Sequence, residues 1–394
     1  MQVVDNKDTH MSMTKNSKIF VAGGTGLVGS AILKKLLNSG YKNIVVSYHN
    51  RRPISNNQYT NIPITWLKID LTNQQDVYDF FETHKPEYVF LAAAKVGGIL
   101  ANDTYKADFI YNNIMIAANV VHAAYKYKTK KLLNLGSSCI YPKFAEQPMK
   151  EEYLLTGSLE PTNEPYAIAK ISAIKLCRYF NEQYGTNFMS VMPTNLYGPN
   201  DNFDLETSHV MPAILRKMYL AKCLEDENWD MLKRDLNKTK VVIGNSSLVI
   251  SENSSREDVL KVLNNYGIQL TNNKVRLTFW GSGKPFREFL YSEDMADACL
   301  FLMNNYDAAD IGEFVNVGSG KDLQINQLVE LIKEVVGFGG TIEWDNSKPD
   351  GTPRKLLDVD KIRKLGWVYK TELEAGVRKY YDWYLNNIAN LENE

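Results

Sequence analysis

The chain has 394 residues, of which 44% are hydrophobic and 23% charged, a balance that excludes a disordered chain and leaves ample core for two joined domains. Lys and Arg number 45 against 46 Asp and Glu, so no overall positive field gathers a nucleic-acid backbone, and any anion site must be local. The four cysteines, Cys139, Cys177, Cys223 and Cys299, make no C-x-x-C pair, which excludes a zinc knuckle or a disulfide framework and fits a reducing cytoplasm.

Residues 1–17 are polar, without an apolar run long enough for a signal peptide or a membrane span, and read as a flexible leader. From Lys18 onward, short β-branched runs alternate with segments of helical periodicity. The runs at 19–22, 44–47, 64–69, 88–92, 132–135 and 189–193 carry apolar residues on both sides of the strand, which suits a sheet covered by helices. A helix opens near Leu27, where Val28, Ile32, Leu33, Leu36 and Leu37 share a face, and Gly40 ends it. The alternation predicts an α/β fold: a doubly wound, parallel, Rossmann-type sheet over residues 18–195, followed by a smaller α/β substrate-binding part over 196–394. Within that second part, residues 225–273 are charged and Asn-rich, with helical periodicity only near 259–263, and read as a small helical insertion on the surface. Helices are expected near 324–336 and 372–385.

Directly after the first strand stands Gly23-Gly24-Thr25-Gly26-Leu27-Val28-Gly29. Glycines let the backbone turn and approach a pyrophosphate, and the helix that follows offers it free N–H groups and a partial positive charge. A plain strand-to-helix turn is the alternative for a lone glycine pattern, but strand before and helix after favour a dinucleotide. Beyond the second strand, where an acidic residue would hold the ribose hydroxyls of NAD, the sequence carries Arg51 and Arg52. Guanidinium groups suit a 2′-phosphate, which points to NADP(H); a solvated basic turn is the alternative. Asp70, after the third strand, is placed to reach the adenine. The fifth strand runs into Leu135, Gly136, Ser137 and Ser138, also on the cofactor side, and Tyr166 and Lys170 follow at a spacing of four, on one helical face. An ammonium beside a phenol is expected to lower its pKa from about 10 toward neutrality and let Tyr166 exchange a proton with a carbonyl or alkoxide oxygen that Ser137 shares. The remaining histidines, His10, His49, His84 and His122, have no ligand-like spacing, so no metal is expected.

The glycine loop, Ser137 and the Tyr166/Lys170 pair resemble the extended short-chain dehydrogenase/reductase family. The longer strings at 92–99, 136–142, 161–170, 192–199, 280–290 and 348–358 resemble, within it, the GDP-L-fucose synthases, with only the leader and the 225–273 insertion standing outside. The resemblance implies NADPH-dependent conversion of GDP-4-keto-6-deoxy-D-mannose to GDP-L-fucose, by epimerisation at C3 and C5 and reduction at C4. It assigns the proton transfers of epimerisation to Cys139 and His209, the latter also beside the cofactor. It lines the nicotinamide end with Pro193, Thr194, Asn195 and Leu196, and gives the GDP-sugar Lys217, Trp280, Arg287, Asp350 and Lys355. Some relatives carry a basic residue where Thr25 stands, which leaves the NADP preference to Arg51 and Arg52. A related GDP-4-keto sugar such as a heptose is the alternative substrate, and a non-catalytic NADP-binding regulator a distant one. The same resemblance pairs two long helices, near 108–127 and 167–184, in a homodimer contact. Neither nucleic acid nor a membrane is an expected partner.

Overall fold

The computed structural model describes residues 12–49, 64–237, 240–243, 246–348 and 350–389. They fall into two compact units: those of 12–200, 288–321 and 356–371 form the first, and those of 201–287, 322–355 and 372–389 the second.

The first unit is built on a seven-stranded sheet. Its strands β1 (Ile19–Ala22), β2 (Ile44–Tyr48), β3 (Thr65–Lys68), β4 (Tyr88–Leu91), β5 (Lys131–Leu135) and β6 (Phe188–Pro193) are the six expected ones, and a short strand, Val315–Val317, joins beside β6. The order is Val315–Val317, β6, β5, β4, β1, β2, β3, with every neighbouring pair parallel. Alternate residues of each strand enter two different cores. Val21, Phe90, Leu133 and Val191 pack on one face, and Phe20, Val89, Leu132 and Phe188 on the other, all buried. A strand with both faces covered has no polar side to show, which is why these runs are apolar on both sides rather than on alternate positions.

Helices α1 (Leu27–Asn38), α2 (Gln74–His84), α3 (Ile99–Thr104), α4 (Lys106–Lys126) and α5 (Glu164–Tyr184) connect the strands, and α4 packs along α5. Gly40, just past α1, takes a φ of +81°, and Asn73 caps α2 by accepting from the N–H groups of Gln75 and Asp76. Because β1 has β2 on one side and β4 on the other, the chain order reverses there, and the loops leaving β1 and β4 flank the crevice where doubly wound sheets take ligands. Part of the expected leader is packed: Met13 and Ser17 are buried, and the Tyr88 hydroxyl donates to the Ser12 carbonyl at 3.2 Å. Residues 1–11 lie outside the described residues.

The second unit holds the helix Val210–Glu225, a three-stranded sheet (Ile268–Thr271, Lys274–Trp280, Thr341–Asp345) and the helices Ile325–Val336 and Leu373–Ala389. Its 225–273 segment is more than the helical excursion expected. The helices Trp229–Leu236 and Arg256–Asn265 flank an antiparallel pair, Lys240–Ile243 with Ser246–Val249, and the strand Ile268–Thr271 enters the sheet. Leu232, Leu236, Ile250, Val259, Val262, Leu263 and Ile268 are fully buried. The apolar runs at 241–243 and 248–250, parted by Gly244-Asn245 in the sequence, are the hairpin signal that composition concealed.

Candidate active site

In the first unit, Gly23 takes a φ of +80°. Its N–H donates to Ser47 Oγ at 3.1 Å, and that of Gly24 to the Ser47 carbonyl at 2.9 Å, which ties the glycine loop to the end of β2. The loop leaves no room for side chains at its ends. A Cβ on Gly29 would stand 2.1 Å from the Gly23 carbonyl oxygen, and one on Gly23 would stand 2.8 Å from Ala93 Cα, in the loop after β4. At Gly26, the N-cap of α1, an added Cβ would meet only the Gly23 oxygen, at 3.5 Å. The first turn of α1 carries neither an acidic residue nor a side-chain cap. This cradle fits a dinucleotide pyrophosphate: bare backbone donors at a helix start, with Thr25, Leu27 and Val28 between the tightly packed glycines. Asp70 Oδ1 accepts from the N–H (2.9 Å) and hydroxyl (2.7 Å) of Thr72, and this hydrogen bonding holds its carboxyl below the usual range. Arg51 and Arg52 lie outside the described residues.

The reactive groups gather where β5 ends and α5 begins. Gly136 lets the chain leave β5 against β6, since a Cβ there would stand 2.1 Å from Met192 Cε. Ser137 follows in an extended conformation, and its Oγ accepts from the Cys139 N–H at 3.4 Å. Pro165 stands in the first turn of α5, and Tyr166 and Lys170 come one turn apart. The Tyr166 hydroxyl is hydrogen-bonded to Ser137, and Cys139, buried, stands close enough to influence both Tyr166 and Lys170 electrostatically. The Lys170 ammonium donates to the Leu135 carbonyl at 2.7 Å and lies 5.7 Å from the centre of the Tyr166 ring. The phenol is not acidified as expected. Burial pushes its pKa up, Cys139 adds to that, and the bond to Ser137 pulls the other way. Burial also pushes Lys170 down, to about 8. The cost of enclosing a phenolate outweighs the pull of an ammonium that is itself desolvated and turned to a backbone oxygen.

The other first-unit residues named from the sequence stand nearby in the fold. Thr194 N–H donates to the Val317 carbonyl at 3.1 Å, and Asn195 and Leu196 form a short strand beside Phe289 and Leu290. Pro193 ends β6, and Ser138 opens the short helical turn after Ser137.

In the second unit, His209 is the N-cap of the helix Val210–Glu225. Its side chain is reached by solvent yet crowded, and desolvation together with the charge of Lys355 lowers its pKa. Lys217, on the same helix, is pushed down to about 8 by burial. Arg287 and Lys355 are register partners of adjacent parallel strands, so both fall on one face of that pair. Arg287 donates to the carbonyls of Phe286 (2.7 Å) and Thr352 (2.6 Å), and its pKa is lowered by burial. Asp350 accepts from the N–H and hydroxyl of Ser282, at 2.8 and 2.7 Å, and pins the turn after Trp280. Trp280 is 67% exposed, with Lys348 over its ring. Three cationic side chains and an open indole suit a nucleoside diphosphate. Among the described residues no cluster of His, Cys, Asp or Glu could hold a metal ion, and no helix is long and apolar enough to cross a membrane.

A sequence model of the NAD dependent epimerase/dehydratase family matches residues 19–236 and 228–318, its two stretches meeting at the start of the insertion. The chain belongs to this family. Within it the chain falls among the GDP-L-fucose synthases. It is 47% identical to GDP-L-fucose synthase 1 of Arabidopsis thaliana over 95% of both chains. Among solved structures it is similar to a GDP-6-OMe-4-keto-L-xylo-heptose reductase from C. jejuni, with 37% identity, a TM-score of 0.83 and 95% and 99% of the two chains covered. A GDP-L-fucose synthetase from Naegleria fowleri, bound to NADP, matches at 26% identity with a TM-score of 0.71 over 97% and 98%.

In this family member three polar residues support the site that sequence reasoning passed over. Ser47 holds the glycine loop, as described. Asn113, buried in α4, accepts from the Lys95 N–H at 2.9 Å and donates to the Lys95 carbonyl at 3.0 Å, which fixes the loop after β4. Glu288 is fully buried; its carboxylate accepts from the N–H groups of Gly320 (2.7 Å) and Leu357 (2.9 Å), and its backbone oxygen accepts from Thr194 Oγ1 (3.2 Å) and Asn195 Nδ2 (2.8 Å). Only Ser47 stood out locally, as a polar residue within an otherwise apolar strand; Asn113 beside Asn112 and Glu288 beside Arg287 gave no such signal.

Proposed function

We propose that this enzyme converts GDP-4-keto-6-deoxy-D-mannose to GDP-L-fucose with NADPH, as the names of its relatives suggest. The observation that carries the reading is the meeting of Ser137, Tyr166, Lys170 and Cys139 where β5 gives way to α5. The glycine cradle supports NADP(H) binding, with Arg51 and Arg52 proposed for the 2′-phosphate and Asp70 for the adenine end. Pro193, Thr194, Asn195 and Leu196 would line the nicotinamide side. When bound, the cofactor supplies the hydride that reduces C4.

Everything else falls to the chain's own groups. A ketone at C4 acidifies the protons on C3 and C5, so one group that removes a proton and one that returns it on the opposite face invert each centre. Cys139 and His209 are proposed for these transfers. The lowered pKa of His209 leaves its imidazole neutral at working pH and able to take a proton. Ser137 and Tyr166 donate hydrogen bonds to the oxygen that becomes negative, and Tyr166 gives its proton to O4 on reduction. The raised pKa of Tyr166 keeps that proton in place until an alkoxide, a stronger base, forms beside it. Lys170 then stands by as a cation near the phenolate. Lys217, Trp280, Arg287, Asp350 and Lys355 are proposed to hold the GDP.

The test is incubation with GDP-4-keto-6-deoxy-mannose and NADPH in heavy water. Deuterium is expected at C3 and C5 of a fully inverted product, Cys139→Ser should give reduced but poorly inverted sugar, and retention of full reductive activity by Tyr166→Phe would refute the assignment. The similarity to a heptose reductase favours a second reading, reduction of a related GDP-4-keto heptose, and side-by-side assay of the two sugars decides between them. We further infer a homodimer through α4 and α5, which expose Tyr111 and Tyr179, and a cytoplasmic setting, in keeping with four cysteines that are all free and buried. A monomeric mass at micromolar concentration would count against the dimer.

A further inference from the structure

In the second unit, four segments meet at one buried ion pair that the reaction described above does not use. Arg216 lies on the helix whose N-cap is His209, and only 6% of it is exposed; Asp235, on the inserted helix Trp229–Leu236, is 7% exposed. Arg216 Nε donates to Asp235 Oδ1 at 2.8 Å and Nη2 to the Asp235 carbonyl at 3.1 Å. The remaining arm, Nη1, donates at 3.0 Å to the carbonyl of Phe203, in the loop that leads into His209. From the C-terminal helix, the Tyr384 hydroxyl donates to Asp235 Oδ2 at 2.5 Å.

The loop held in this way is braced internally. Asp204 Oδ1 accepts from the Thr207 N–H at 2.9 Å, the Ser208 N–H donates to the Asp204 carbonyl at 2.9 Å, and Asn202 Nδ2 donates to Thr207 Oγ1 at 3.0 Å. A displacement at Phe203 is therefore passed along to His209 rather than absorbed. Burying two charges is costly, and replacing such a pair by apolar side chains of equal volume is often neutral or stabilising. What apolar side chains cannot supply is the set of directed bonds by which one planar guanidinium joins the inserted helix, the loop and the His209 helix.

We propose that Asp235 is a positioning residue for His209: it orients the Arg216 guanidinium, which holds the 201–208 loop and thereby places the imidazole for proton transfer. The inserted segment then serves the epimerisation step. This rests on the proton-transfer reading of His209 given above.

The experiment uses the full chain with GDP-4-keto-6-deoxy-mannose and NADPH in heavy water, and reads the fraction of reduced product that is uninverted or lacks deuterium. Asp235→Asn is expected to raise that fraction about fivefold or more while NADPH oxidation at saturating sugar stays within about threefold of wild type. Tyr384→Phe, which removes one hydroxyl, should move it the same way by less, and decides the matter if Asp235→Asn does not fold. Because the fraction is measured within one population of working enzyme, a loss of folded protein does not change it. His209→Gln is run in parallel. If it raises the uninverted fraction and both other variants keep the wild-type value, positioning by Asp235 is overturned while the His209 role survives. If His209→Gln itself leaves the fraction unchanged, both fall.

Discussion

Lys170→Met separates what the site costs from what it does. The Lys170 ammonium is nearly enclosed and its pKa is pushed down from 10.5 to about 8. Between those values the unfolded chain carries a proton that the native protein has lost, so stability rises with pH across the window. At about 1.4 kcal/mol per pKa unit, the wild type should gain about 3 kcal/mol relative to the methionine variant between pH 8 and pH 10.5, an order-of-magnitude figure. Tyrosines whose pKa is raised, Tyr166 among them, pull stability down above pH 10, but they are common to both proteins and drop out of the difference. Urea denaturation of the cofactor-free proteins at pH 7.5, 8.5, 9.5 and 10 measures it. The variant should also lose reductive turnover by about a hundredfold or more, the scale of a removed acid–base group. Parallel stability curves for the two proteins would refute the claim that a charged, desolvated Lys170 is held in the site at a cost.

Gly29→Ala drives a methyl to 2.1 Å from the Gly23 carbonyl and must push the glycine loop off α1. The NADPH dissociation constant, followed by cofactor fluorescence, should rise about tenfold or more, and the unfolding free energy from urea titration should fall by about 1–3 kcal/mol through overpacking. Asp201, buried, accepts from the Asn202 N–H at 2.8 Å and the Tyr380 hydroxyl at 3.0 Å, and burial pushes its pKa up to about 7. A raised carboxyl favours the native state only while protonated, so stability is lost as pH climbs from about 4 through 7, at most about 4 kcal/mol. Asp201→Asn should therefore stabilise the protein at pH 8 and do nothing useful at pH 4, a pair of urea titrations that either agree with this sign or reverse it. Finally, Asn113→Ala frees the loop after β4 from α4 and should weaken NADPH binding severalfold at unchanged substrate preference; unaltered affinity would show that the Lys95 contacts are dispensable.

The sheet was legible because a strand covered on both faces is apolar on both sides, so 19–22 and 88–92 announce themselves without neighbours. The glycine loop was equally plain, since close backbone approach excludes side chains in any context. So was the Tyr166/Lys170 pair, because spacing along a helix is local geometry. Other features had no local signature. Val315–Val317 is three residues long and becomes a strand only because β6 offers it an edge. The 225–273 segment looked like polar surface because its buried residues are spread thinly among charges and meet only when its helices fold back. Glu288 reads as an ordinary charge in a strand until Gly320 and Leu357, distant in the chain, bring it their N–H groups. The protonation of Tyr166 also belongs to the tertiary structure. Four residues of spacing put an ammonium near a phenol, but the direction in which the proton equilibrium moves depends on how much water the surrounding chain removes, and that is summed over neighbours from the whole fold.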